Sequence, residues 1–174
     1  MLHLAPSLLA DTCLLVVLGA SAVTDLRVGR IFNAVTYPAI ALGLVGSMLG
    51  FGPDPASAVL GCLVGGGALY FLFAFGWMGG GDVKLMAAVG ALRGFPFILH
   101  AMFYSVFVGG VAAALMLIWR GHTRAVVGDL VVVVKRLTGF GAASAPIPAR
   151  GGALPFGVAI CVGTLAALVL EWRG

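Results

Sequence analysis

The chain has 174 residues, 61% of them apolar and 9% charged, and a mean hydropathy of +1.15. Soluble domains carry about 25% charged residues, so a globule with a water-facing surface is excluded and an integral membrane protein is expected. Ten Lys and Arg stand against six Asp and Glu, an excess that in so apolar a chain sets orientation in a bilayer and argues against nucleic acid as a partner.

A transmembrane helix uses roughly 20 residues, which leaves room for about six spans and no separate soluble domain: one all-α membrane bundle over 1–174, with membrane lipid as its surroundings. Cys13, Cys62 and Cys161 each lie in an apolar run without a C-x-x-C pair, so neither a zinc module nor a disulfide framework is supported. No Lys or Arg precedes Arg27, so the basic n-region of a cleaved signal is lacking and the first apolar segment is expected to be retained.

The first span is expected over about Ser7 to Thr24, started by Pro6-Ser7, with Asp11 in its early turns as an interfacial carboxylate and Asp25 closing it. The polar stretch Asp25 to Asn33 leads to a second apolar run over Ala34 to Gly50, ended by Phe-Gly-Pro-Asp-Pro55. A third span covers about Ala56 to Trp77. Met78-Gly-Gly-Gly-Asp82 then breaks the pattern before a short segment, Val83 to Leu92, whose ten residues reach only about 15 Å.

Phe97 to Trp119 is long enough to cross with tilt. After it, Arg124, Gly128, Asp129, Val132, Lys135 and Arg136 share one helical face and Val126, Val127, Leu130, Val134 and Leu137 another, the spacing of an amphipathic helix lying in the interface. An Ala-, Pro- and Gly-rich loop, about Gly139 to Gly152, leads to a last span over Leu154 to Leu170. With six crossings and both termini outside, Arg27, Arg30, Lys84, Arg120, Arg124, Lys135, Arg136 and Arg150 face the cytoplasm, against Arg93 and Arg173 outside, as the positive-inside rule requires.

This topology brings Asp25 and Asp82 to the same membrane edge, although 57 positions separate them. Charged groups near a bilayer are costly and tend to be functional or paired. Two carboxylates at one depth are what a water-activating acid/base pair needs. Asp25 at a helix C-terminus and Asp82 at a helix N-terminus feel opposite dipole ends, which would make Asp82 the base and Asp25 the proton-bearing partner. The plainer alternative has them as interfacial anchors, Asp25 with Arg27 or Arg30 and Asp82 with Lys84.

Gly79-Gly80-Gly81-Asp82-Val83-Lys84-Leu85 resembles the G-x-G-D-x-K-L signature of the type IV prepilin peptidases, membrane aspartic proteases of the GxGD kind. In that family a first aspartate closes an early span and a basic, polar stretch ending in Pro-Asn follows. Asp25 and Asn33 match, with Phe32 where the family usually has proline. Leu154-Pro155-Phe156-Gly157-Val158-Ala159-Ile160 is similar to the family's Pro-Tyr/Phe-Gly-x-Ala-Ile stretch. The resemblance thus runs from Asp25 to about Leu165, in three ordered motifs. Larger members carry an insertion with paired C-x-x-C motifs and methylate the new N-terminus. This chain has neither motif pair and looks like the short, peptidase-only branch associated with Flp/Tad pili.

The resemblance implies hydrolysis of a prepilin or pseudopilin after a glycine, where a short leader meets an apolar helix, at the cytoplasmic face of a bacterial inner membrane. Asp25 and Asp82 would polarise the attacking water, with no metal or other cofactor. Gly79 and Gly81 would let backbone approach an extended substrate. Lys84 would favour the charged Asp82, meet an acidic substrate residue or anchor the membrane edge. Asn33 would cap the second span or bond to the Asp25 region, and Pro155, Phe156 and Gly157 would wall the site or simply start the last helix. His100, His122 and Asp129 read as interfacial, loop and solvated residues. The competing readings are a small transporter or channel component with the aspartates on an ion or proton path, and another two-aspartate membrane enzyme such as a lipoprotein signal peptidase. The Gly-rich lead to Asp82 and the six spans count against the latter.

Overall fold

The computed structural model describes residues 4–75, 78–120 and 156–173. Among these there are six helices and no strand: α1 (Leu4–Val28), α2 (Asn33–Met48), α3 (Pro55–Ala74), α4 (Gly80–Arg93), α5 (Phe97–Arg120) and α6 (Phe156–Glu171). The helical membrane bundle expected from composition is what forms. The amphipathic segment around 124–137, the loop at 139–152, His122, Asp129, Pro155 and the expected third-span end at Trp77 lie outside the described residues.

The described residues fall in two compact units, 4–109 with 156–173, and 110–120. The second is helical throughout, as the C-terminal part of α5. Leu8–Val28, Pro55–Ala74 and Phe97–Met116 are long and apolar enough to cross a bilayer. Leu42, Leu63, Phe71 and Phe103 lie more than half exposed, a density of outward apolar side chains far above the isolated patches of soluble monomers. They are the lipid face of a membrane protein.

At the centre is α4. Leu85 to Leu92 are all buried, because α2 and α3 pack along it and α1 and α6 close the remaining sides. Small residues make this possible. A Cβ on Gly90 would overlap the backbone carbonyl of Gly61 on α3, one on Gly61 would overlap that of Gly90, and one on Gly43 of α2 would meet Ala91 at 2.7 Å, so the backbones approach as membrane helices with glycine interfaces do.

Helix boundaries follow local chemistry. Asp54 caps α3, accepting from the N–H groups of Ala56 (3.1 Å) and Ser57 (3.4 Å), with Pro55 in the first turn. The fourth helix begins earlier than Val83 and takes in Gly80, Gly81 and Asp82. Its 14 residues rise only about 21 Å, short of the roughly 30 Å hydrocarbon layer. A charged residue stands near each end of it, Asp82 and Arg93, and both ends cannot reach water without local thinning of the bilayer.

Candidate active site

Asp25 is buried in the last full turn of α1, which continues to Val28 and stops at Gly29, whose φ of +66° only glycine adopts freely. The Gly29 N–H donates to the Asp25 carbonyl at 2.8 Å, fixing the backbone at this residue. Its side chain turns to α6: Oδ2 accepts from the Val158 N–H at 3.2 Å. The site is cut to fit glycine, since a Cβ on Gly157 would lie 2.7 Å from Asp25 Oδ2 and 2.8 Å from Ile31 Cδ1.

Asp82 occupies the third position of α4. Its Oδ2 accepts from the Gly79 N–H at 3.3 Å, the reach-back half of a capping box. Gly81, beside it, packs on Ile31: a Cβ there would be 3.0 Å from Ile31 Cβ. A single side chain, Ile31 of the α1–α2 connection, therefore touches both Gly81 next to Asp82 and Gly157 next to Asp25. The carboxylates share one end of the bundle, linked through Ile31. Among the described residues neither makes an ion pair, so the pairings with Arg27, Arg30 and Lys84 considered above do not form.

The opposition of dipole ends does not hold. Asp25 belongs to the C-terminal turn of α1, but its carboxylate meets the first turn of α6, so both carboxylates accept from N–H groups at helix N-termini. Nothing in sequence spacing places α6 against Asp25, and the dipole assignment of base and acid loses its basis.

Lys84 bonds across to α2. Its Nζ donates to Asn33 Oδ1 at 2.8 Å and lies 4.8 Å above the Tyr37 ring, tying the start of α4 to the start of α2. Asn33 is accordingly not a helix cap. Phe32 holds the cap position with no side-chain bond, and Asn33 is the first residue of α2. The Phe32 φ of −78° lies within the range that proline imposes, so the loop keeps a proline-compatible backbone without the proline. Phe156 packs on α5, its ring occupying the space a Cβ on Gly109 would need.

Asp11, expected to face its own helix N-terminus, lies buried seven residues into α1 and finds its partner in Arg93 at 2.6 Å. Two contributions at the dyad end were missed from the sequence: Ile31, which carries no signal in its spacing, and the Val158 backbone N–H, which the glycine at 157 exposes. No group of three or more metal-ligating side chains exists among the described residues.

Comparison with known proteins falls on the same segment. Residues 12–114, which include both aspartates, match the model of the type IV leader peptidase family. A prepilin leader peptidase/N-methyltransferase of Xanthomonas campestris pv. campestris is 36% identical over 111 residues, covering 58% of this chain and 38% of that protein. One from Neisseria gonorrhoeae is 36% identical over 97 residues, 52% and 34% of the two chains. One from Burkholderia pseudomallei is 29% identical over 115 residues, 60% and 36%. The chain thus matches little more than a third of the length of these curated relatives. No solved structure matches it significantly. With a helical membrane bundle, two aspartates gathered at one end of it and a family match across both, the chain belongs to the type IV leader peptidase family.

Proposed function

We propose that the chain is a membrane aspartic endopeptidase that removes the leader of Flp-like prepilins after a glycine, with Asp25 and Asp82 as the catalytic pair. What carries this reading is the placement of the two carboxylates around Ile31 within the segment that matches the family. Two carboxylates close enough to repel favour holding one proton between them. The charged member accepts a proton from water as its oxygen attacks the scissile carbonyl. The protonated member then gives its proton to the leaving amine, and the tetrahedral intermediate collapses to a free carboxyl and a new N-terminus. No covalent intermediate arises.

Gly79 leaves room for the Asp82 carboxyl, Gly81 lets Ile31 pack beside it, and Gly157 leaves room for the Asp25 carboxyl. Pro155 and Phe156 would begin the wall on the α6 side. Lys84 and Asn33 support the site by joining α4 to α2. The site would face the cytoplasm from the inner membrane, as the placement of Lys and Arg favours. Methylation of the product is not expected, because the sequence holds three dispersed cysteines and no C-x-x-C pair.

The test is incubation of the purified protein, in liposomes, with an Flp-type prepilin, followed by mass spectrometry and N-terminal sequencing of the product. One cut after the leader glycine with an unmethylated new N-terminus is expected. An uncut prepilin would overturn the peptidase reading and favour an ion or proton path. A methylated product would overturn the peptidase-only assignment.

A further inference from the structure

At the other end of the bundle, Arg93 closes α4 and its guanidinium takes two carboxylates at once. Nη1 donates to Asp11 of α1 at 2.6 Å, and Nη2 donates to Glu171 of α6. The Phe97 ring lies 5.0 Å beneath. Asp11 and Arg93 are largely withdrawn from the surface, while Glu171 is half exposed. These are the ion pairs of the described residues.

The helices joined here are the ones that build the dyad: α1 carries Asp25, α4 carries Asp82, and α6 supplies Gly157 and the Val158 N–H. Each has one contact at the site and one at Arg93, about 21 Å apart along α1, 16 Å along α4 and 20 Å along α6 at the helical rise per residue. The bundle between them is apolar and rich in small residues, so packing there resists separation better than it resists sliding or pivoting. A helix about 20 Å long that pivots by 5° at one end moves its other end by about 1.7 Å, and misplacement of about 1 Å is enough to cost a catalytic pair two orders of magnitude. The planar guanidinium fork, which bonds both partners in fixed directions, suits a three-helix tie as a lysine would not.

We propose that Arg93 is a positioning residue, which with Asp11 and Glu171 locks the register of α1, α4 and α6 and so sets the geometry of the Asp25–Asp82 pair from the opposite membrane edge. The activity readout rests on the peptidase reading; the distance readout does not. Spin labels at Arg27 on α1 and Val162 on α6, both exposed, report the separation of these helices near the site in liposomes, with Cys13, Cys62 and Cys161 replaced by Ala or Ser and each variant compared in that background. Glu171→Gln is the informative variant because it removes the charge from the α4–α6 tie, leaving at most a weaker neutral hydrogen bond, at a half-exposed position without stranding a buried anion; Arg93→Met breaks both ties.

The expected result is a narrow distance distribution in the unsubstituted parent that broadens in Glu171→Gln and further in Arg93→Met. For prepilin cleavage, kcat per folded molecule falls about 5-fold and at least 10-fold respectively at unchanged KM. Arg93→Lys should recover part of the loss. Unchanged distributions in both variants overturn the proposal whatever the activity. Broadened distributions with full activity also overturn it, since the tie would then not reach the dyad. If the parent cuts no prepilin while the distributions respond as expected, the peptidase reading fails and the three-helix tie stands.

Discussion

Replacing Gly157 by alanine places a methyl group 2.7 Å from Asp25 Oδ2, 3.0 Å from its Cγ and 2.8 Å from Ile31 Cδ1. Ordinary contact begins near 3.4 Å, so the carboxyl and the methyl must part by about 0.7 Å. Asp25 has little room to yield, being buried with its carbonyl bonded to Gly29. Either its carboxyl rotates off the Val158 N–H, losing a charge-assisted bond worth about 1.5–3 kcal/mol, or the first turn of α6 retreats and carries that N–H with it. Both move the carboxyl on the scale at which catalytic geometry fails, and a 100-fold loss corresponds to about 2.7 kcal/mol of barrier. In liposomes carrying an Flp-type prepilin, Gly157→Ala should lower kcat by about 100-fold with KM little changed. The control is Gly67→Ala, an exposed helix position where a Cβ meets nothing within 4 Å. It should keep full activity and gain up to about 1 kcal/mol of stability. Wild-type kcat in Gly157→Ala would refute the fit of α6 against Asp25.

Other substitutions probe the frame around the site. Phe32→Pro, at a φ of −78° and at a position whose N–H closes no helix turn, should retain cleavage and leave the thermal midpoint unchanged or higher; a collapse in folded yield would contradict the proline-like loop. Lys84→Met removes the bond to Asn33 and the contact with Tyr37; the expected cost is about 1 kcal/mol in thermal denaturation, with activity per folded molecule within a few-fold. Gly90→Ala forces α4 away from the Gly61 carbonyl and should destabilise by about 3 kcal/mol, read as a lower melting temperature in detergent.

The apolar segments and the shared edge of the two aspartates were legible because length, hydropathy and charge count act through the bilayer, a simple solvent. The start of α4 was not. Gly80, Gly81 and Asp82 are poor helix formers taken singly, yet the helix includes them because Asp82 bonds the Gly79 N–H and the glycines fit under Ile31 and Phe73. Asn33 was misassigned because a cap is judged from neighbouring residues, whereas its partner, Lys84, is 51 positions away. The same holds for Asp11. Its sign and the topology place it at the edge with Arg93 and Glu171, a signal that was present, but only packing decides that one guanidinium takes both carboxylates. Contacts of α6 with Asp25 depend on the absence of a side chain at Gly157, which no periodicity encodes.

The central claim is that Asp25 and Asp82 together activate water. Its most direct test is single-turnover cleavage of an Flp-type prepilin by wild type, Asp25→Asn and Asp82→Asn, with each variant shown to be folded by its thermal midpoint. Asparagine keeps the shape of each side chain while removing its capacity to hold or release the proton. Both variants should fold, and each should lose at least 1,000-fold in cleavage rate; a folded variant of either residue that cuts at the wild-type rate would show that the pair does not activate water.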